Sequence, residues 1–390
     1  MTGLMQALLS RGVIIHAPES CVIEDVLPER IEAGVEIFPA TTVRGKRTML
    51  GAGTKLGLAG GGYFEDVRTG RNVQLWGGYF KDCILLDNVV VRSNAELREC
   101  TLLEESSELG HTVGLKQTIV MPQCIMGSLI NFCDALLSGG LSRECHTEVG
   151  SCMALYNYTP WGNKFASLFG DVPRGVFLCE EPIFIGGQTQ IVSPVVVDYE
   201  SVIAAGCKLQ TNLGPRQIVL YSPQDLERDF NREQLPKVQR KVEIAFQYIA
   251  NLYAFRVWYD IARRAYASSD PYLQQLYEDV IGLIDGAIAE RRKRLEKFIT
   301  KIRVSLKHHE SEFEVILVHD HQVALEFCKR KMPKLDVKPD IRQKKWKTVV
   351  EYLKKAGEEK KSYIEAVRAM PDDMVDEVRD ELYRIVDQYA

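Results

Sequence analysis

Residue types in this chain suggest metal ligation, thiol chemistry and polyanion binding, and spacing argues against each. His308, His309 and Glu310, and again His319, Asp320 and His321, gather metal-ligating groups. Neither has the i, i+4 pair that sets two imidazoles on one helix face. The ten cysteines are scattered and none forms a CxxC pair. They read as small apolar residues of a reducing cytoplasm rather than as a disulfide or zinc framework, so no metal is expected. Arg291 to Arg294 and Arg342 to Lys347 could be imagined on nucleic acid or a membrane surface. Acidic residues balance both regions, and each is expected to be a solvated helix face.

The elements that would position any site fall into two halves. A chain of 390 residues, 46% hydrophobic and 26% charged, suits two globular domains with real cores. A net charge of -4 gives no whole-chain reason to expect nucleic acid or an anionic membrane. Met1 to Arg11 lacks a basic and then apolar leader, and the most apolar window, Val242 to Ala262, is broken by Glu243, Asn251, Arg256 and Asp260. A soluble, cytoplasmic chain without a membrane span is expected. Of 29 glycines, 26 precede residue 221, whereas 32 of the 49 Lys and Arg follow it. The composition therefore divides the chain into domains 1–220 and 221–390.

In the first domain the period is six. Leu85, Val91, Leu97, Leu103, Leu109, Leu115 and Met121 form one row, and Val89, Ala95, Thr101, Ser107, Val113, Ile119 and Ile125 a second. The pattern returns as Ile185, Ile191, Val197, Ile203 and Leu209, and a weaker stretch, Ile31, Ile37, Val43, Leu50 and Leu56, extends it backwards. Neither a helix at 3.6 nor an alternating strand holds such a period, whereas a hexapeptide parallel β-helix does. Each hexad makes one face of a triangular coil, with its aliphatic residue inside. The expectation is a β-helix over about 14 to 213, interrupted by Gly57 to Asp82 and Tyr156 to Pro182, which are too irregular to be coils. Insertions in such a stack tend to collect on one face, often the binding face.

Residues 97 to 223 resemble the acetyltransferase half of the bacterial bifunctional enzyme family that acetylates and uridylylates glucosamine 1-phosphate. The motifs that carry the likeness are IFIGGQTQIVSPVVV and VIAAGCKL (Ile183 to Val197, Val202 to Leu209), with Asn157-Tyr158 and Asn163-Lys164-Phe165 matching a substrate loop. The resemblance implies a left-handed β-helix, a homotrimer, acetyl-CoA as donor and a sugar-phosphate or nucleotide-sugar acceptor such as UDP-N-acetylglucosamine. It implies sugar-phosphate contacts for Arg98 and Lys116, and substrate contacts for Asn131, Asn157, Tyr158 and Lys164. Arg98 and Lys116 lie 18 residues apart, so one full coil would stack them on the same side of the prism. The acyl-donor end falls on Ser151, Gly187 and Ala205, with Tyr221 near where the family has an arginine.

The departures concern catalysis. Ser128 stands where the family has its catalytic histidine, and Asn131 where it has a tyrosine. A serine is no base near neutral pH without help, and losing a general base typically costs about 10² to 10⁴ in rate. His146, 18 residues after Ser128, would stack one layer above it in a regular coil and serve as a displaced base; His111 is a second candidate. The family's large uridyltransferase domain has no counterpart in residues 1 to 13.

From Gln224 the pattern is helical, with Tyr277, Val280, Ile284, Ala287, Leu295, Phe298, Ile302 and Leu306 at three-to-four spacing. Phe246, Tyr248, Tyr253, Phe255, Trp258 and Tyr259 should pack centrally. The resemblance does not reach this half, which is open to being a helical hairpin, an oligomer lock or a docking module for a protein partner. The fold class is thus a left-handed parallel β-helix followed by an all-α domain. An N-acyltransferase competes with a non-catalytic sugar-phosphate binding protein or scaffold.

Overall fold

The computed structural model describes residues 3–220, 235–306, 315–339 and 341–390. From Ile14 to Val219 the chain winds as a parallel three-faced solenoid. Face one is an 11-stranded ladder from Ile14–Ile15 to Ile218–Val219. Face two runs from Val22–Glu24 through Ala95–Leu97 to Lys208–Leu209, and face three from Arg68–Thr69 through Cys83–Leu85 and Thr101–Leu103 to Val196–Val197. The strands Gly114–Val120 and Asn131–Leu137 run round the corner between faces two and three. Corners are made one residue at a time: Asp82, Asn88, Asn94, Cys100, Ser106 and Thr112 all have φ between +49° and +61°. Asn and Asp tolerate this conformation, and ladder bonds on both sides hold the other residues in it. The ladders establish a parallel prism; its left hand is what the resemblance implies.

The aliphatic row fills the prism as the period predicts. Leu85, Val91, Leu97, Leu103, Leu109 and Leu115 are fully buried in one inner core with Ile185, Ile191, Val197, Ile203 and Leu209. Met121 corrects the row. The corner at Gln117 is one residue shorter than a hexad allows, so Val120 pairs with Leu103 and enters the prism, while Met121 joins the cluster outside it. Gly57 to Asp82 is also a correction, because it does form ladder strands. Leu56 pairs with Leu75 and Phe64 with Phe80. There two stacked phenyl rings, 5.0 Å apart, fill the space that aliphatics fill elsewhere, which hides the hexad. Tyr156 to Pro182 is mixed: a loop and a short helix, Val172–Gly175, flank one further strand of face three, Ser167–Phe169.

The helices dock on face three. Ile84, Leu102, Ile119, Leu136 and Leu168 stack in register on its outer side. They share one apolar cluster with Phe246, Ile249, Phe255 and Trp258 of the helix Val238–Trp258 and with Tyr277 and Ile284 of the long helix Pro271–Leu306. Burying each such side chain contributes about 1.5–3 kcal/mol. The aromatic helix is therefore central, as expected. At its end the chain makes one π-helical turn, Tyr259–Arg263, and the buried Arg263 guanidinium pairs with Glu104 at 2.7 Å and with Glu105.

Among the described residues no helix is long and apolar enough to cross a membrane, and no group of three His, Cys, Asp or Glu is arranged to hold a metal. His308 to Glu310 lie outside the described residues. His321 is buried and faces the Leu317 carbonyl at 2.7 Å and Ser305 Oγ at 3.2 Å, which makes it a packed helix histidine.

Candidate functional site

Face two is flanked by two corners of opposite character. At its first edge the ladder brings Ser128, Ser151, Gly187 and Ala205 into one column. Ser128 accepts from the His111 N–H at 3.2 Å and donates its own N–H to Ser151 Oγ at 3.0 Å. Ser151 O accepts from Gln188 at 2.8 Å, and Gly187 O from Gly206 at 2.9 Å. Glycines line the adjacent row because the coils approach closely. A Cβ at Gly127 would lie 2.5 Å from Ser151 Oγ, and one at Gly186 would lie 2.4 Å from Ala205 N. Nothing larger than serine stands in the column, and Ser151 and Ala205 are exposed along the corner.

Below Ser128 the corner opens into a groove lined by Trp76, Arg92, Asn94, Glu108 and His111. The Arg92 guanidinium lies over the Trp76 ring, 4.5 Å from its centroid, and pairs with Glu108 at 2.8 Å. Burial pushes the Glu108 carboxyl up, but hydrogen bonds from Arg143 and Arg92 outweigh it and hold the group below its ordinary range. Trp76 Nε1 is buried without a partner. No periodic pattern marks Trp76, Arg92 or Glu108, and the reading of the sequence passed over them.

His146 is not above Ser128. Met126 pairs with Val149, 23 positions on rather than 18, because the chain bulges outward before Thr147. That bulge puts Ser151 over Ser128 and leaves His146 against Glu148 at 2.8 Å and the Arg143 carbonyl at 2.7 Å. The imidazole nearest Ser128 along the stack is His111, one coil below.

At the second edge, Arg98 and Lys116 stack as their spacing implies. Leu97 pairs with Leu115, and Lys116 with Cys133 in the next coil. Each cation meets a local carboxylate: Arg98 pairs with Glu96 at 3.2 Å and Lys116 with Glu99 at 3.1 Å. Burial raises the Glu99 carboxyl, but the Lys116 hydrogen bond, a backbone hydrogen bond and the charges of Lys116 and Arg98 together outweigh it and leave it low. Burial likewise pushes the Cys133 thiol up, as does Asp134, while Arg98 and Lys164 oppose it. Asn131 faces outward on face two and accepts from Cys133 Sγ at 3.3 Å.

The loop after Tyr156 folds back on itself, with Tyr158 bridged to Lys164 and Thr159 N–H donating to Asn163 O at 2.9 Å. Tyr158 is 62% exposed. Asn157 turns inward and donates to Asp134, whose other oxygen takes Arg291 from the long helix. Arg291 corrects the expectation of a solvated basic face, since its side chain is 6% exposed. Of the basic run, Arg292 pairs with Asp336 and Arg294 with Glu290. A lone acid at Asp134 inside the apolar strand Asn131–Leu137 was the available signal for such a buried partner.

No family model matches the chain. Three curated proteins, each named bifunctional protein GlmU, are similar to about half of it. That of Prochlorococcus marinus is 24% identical over 207 residues, covering 53% of this chain and 40% of its own length. The Bdellovibrio bacteriovorus protein is 25% identical over 214 residues, 55% of this chain and 42% of its own. The Thermotoga maritima protein is 26% identical over 218 residues, 55% and 44%. The chain thus spans less than half the length of these relatives. Among solved structures, the polysialic acid O-acetyltransferase OatWY matches at a TM-score of 0.16 and 10% identity over 56% of this chain and 90% of its own; the fold assignment rests on the strand ladders instead. Repeat, ladders and relatives agree that the first half is a hexapeptide-repeat solenoid resembling the acetyltransferase half of the GlmU proteins, joined here to a helical half.

Proposed function

We propose that this protein is an acyl-CoA-dependent N-acyltransferase whose acceptor is an amino-sugar phosphate or nucleotide sugar. The observation that carries the reading is the pair of columns flanking face two, one small and open, one cationic. Acetyl-CoA would supply the activated acyl group as a thioester. Ser151, Gly187 and Ala205 fit such a donor because no side chain in that column obstructs an extended chain along the corner. Arg98 and Lys116 hold the acceptor's phosphate, which must displace Glu96 and Glu99; charge-assisted contacts of this kind are the strong ones. The amine must lose a proton to end as an amide, and His111 beside Ser128 is the base we assign. A homotrimer belongs to this reading through faces one and two, since the chain's own helices cover face three.

A second reading, a sugar-phosphate binding protein without catalysis, is favoured by Ser128, whose hydroxyl already accepts a backbone N–H from the preceding coil. The deciding assay is CoA release from acetyl-CoA with glucosamine 1-phosphate and related amines, beside a thermal-shift panel of acetyl-CoA, CoA, UDP-N-acetylglucosamine and glucosamine 1-phosphate. His111→Ala should lower turnover by about 10² or more, and His146→Ala should not. Ligand binding without turnover in the parent, and turnover gained by Ser128→His, would establish the second reading. Arg98→Ala should weaken the sugar phosphate about ten-fold and leave CoA binding unchanged.

A further inference from the structure

A small cavity of about 110 Å³ lies where the loop 157–166 meets the long helix. Its floor is the edge-on contact of Phe165 with Phe298, centroids 5.0 Å apart. Its charged lining is cationic, beside the neutral Asn163. Lys164 enters from the loop, Arg291, Arg294, Lys297 and Lys301 from the helix, and Tyr248 from the helix behind; no Asp or Glu lines it. Two of these charges are compensated from outside the cavity, Arg291 by Asp134 and Arg294 by Glu290. Among the described residues Lys301 donates to carbonyls, those of Trp161 at 2.8 Å and Gly162 at 3.2 Å, and meets no carboxylate there. Lys164 and Lys297 make no ion pair among the described residues. Two donors are left over: Arg291 Nη1 and Arg294 Nε are buried without a hydrogen-bond partner. An unsatisfied buried donor costs about 1–3 kcal/mol, more when charged, so the cationic wall of the cavity carries polar groups that its own fold leaves unpaired.

We propose that this cavity binds a phosphoryl group of a phosphorylated small molecule, clamped between the prism and the helical half. Donors converge on it from the loop and from both helices, which suits a tetrahedral dianion better than a planar carboxylate. Its volume admits one such group and little more. The remainder of the ligand extends through the mouth beside Lys164 and Lys297. The site excludes Arg98 and Lys116 and shares only Lys164 with the contacts that the resemblance implies, so it does not depend on the acyltransferase reading.

The probe is inorganic phosphate, titrated calorimetrically at constant ionic strength with chloride as control. Use of the Arg98→Ala, Lys116→Ala chain removes the proposed substrate cradle, and binding there should persist. Adding Arg294→Ala with Lys297→Ala should weaken it about ten-fold or more. Lys297→Glu, at an exposed position, sets a carboxylate at the mouth without disturbing packing and should abolish it. Unchanged affinity in either variant overturns the proposal. So does absence of millimolar binding in the parent, or binding lost with Arg98 and Lys116 and kept with Lys297→Glu. Loss of acyl transfer in the CoA assay bears on the preceding proposal alone.

Discussion

Faces two and three share the same inner wall and differ only in what they turn outward. Face two presents Tyr79, Glu96, Gly114, Asn131, Ala154, Gln190 and Lys208 in one register, and it is open. Face three presents Ile84, Leu102, Ile119, Leu136 and Leu168, and the chain's own helices cover it. The contrast teaches that the inward row builds the prism, whereas the outward row decides what each face meets. An apolar outward row must be covered, because a bare stripe of that length would invite association. A polar one can carry a site.

Four measurements can break or sharpen this contrast. The largest effect should come from Arg263→Ala, which leaves Glu104 and Glu105 buried without their cation and should lower unfolding stability by about 3–5 kcal/mol in urea titration. Stability near the parent's would mean that the helical half does not depend on this contact. Next, Leu136→Ala on face three should cost about 2–5 kcal/mol, the range for truncating a packed core residue.

A third effect is a pH dependence of stability. Burial pushes the Glu104 carboxyl up to about 7, with Arg263 opposing and Glu105 adding to the rise. The folded protein therefore holds this proton more tightly than the unfolded chain does. Its stabilising effect is complete below the ordinary value of 4.5 and is lost as pH rises through about 7. Melting temperature should fall across that window in the parent and fall less steeply in Glu104→Gln, where buried Asp87, pushed up to about 6, still contributes; an equal slope in both would exclude Glu104 as a source. The smallest effect belongs to face two. Gln190→Ala should stay within about 0.5 kcal/mol of the parent, and a loss like that of Leu136→Ala would show that face two is covered as well.

Much of the cover on face three was present in the sequence without being read. Ile84 precedes Leu85, Leu102 precedes Leu103, and Leu168 precedes Phe169, so these coils of that face carry two adjacent apolar residues, one inward and one outward. The six-residue row drew attention to the inward member alone. Stacking of Arg98 on Lys116 was legible because the coil between them keeps the full period. The placement of His146 was not, because a bulge changes the coil by a number of residues that spacing cannot assign to a location.

The sequence alone determined the prism, since a fixed period of six constrains the chain locally, hexad by hexad, and each aliphatic side chain must leave water in the same direction. It also determined that the second half is helical and where the composition changes. Only the tertiary structure decided that Met121 lies outside the prism, that Ser151 lies above Ser128, and that Arg291 reaches Asp134 from a helix 157 positions away. Those outcomes depend on one-residue shortenings, bulges and long-range docking. Each is fixed by the balance of burial across the whole molecule, which no local period records.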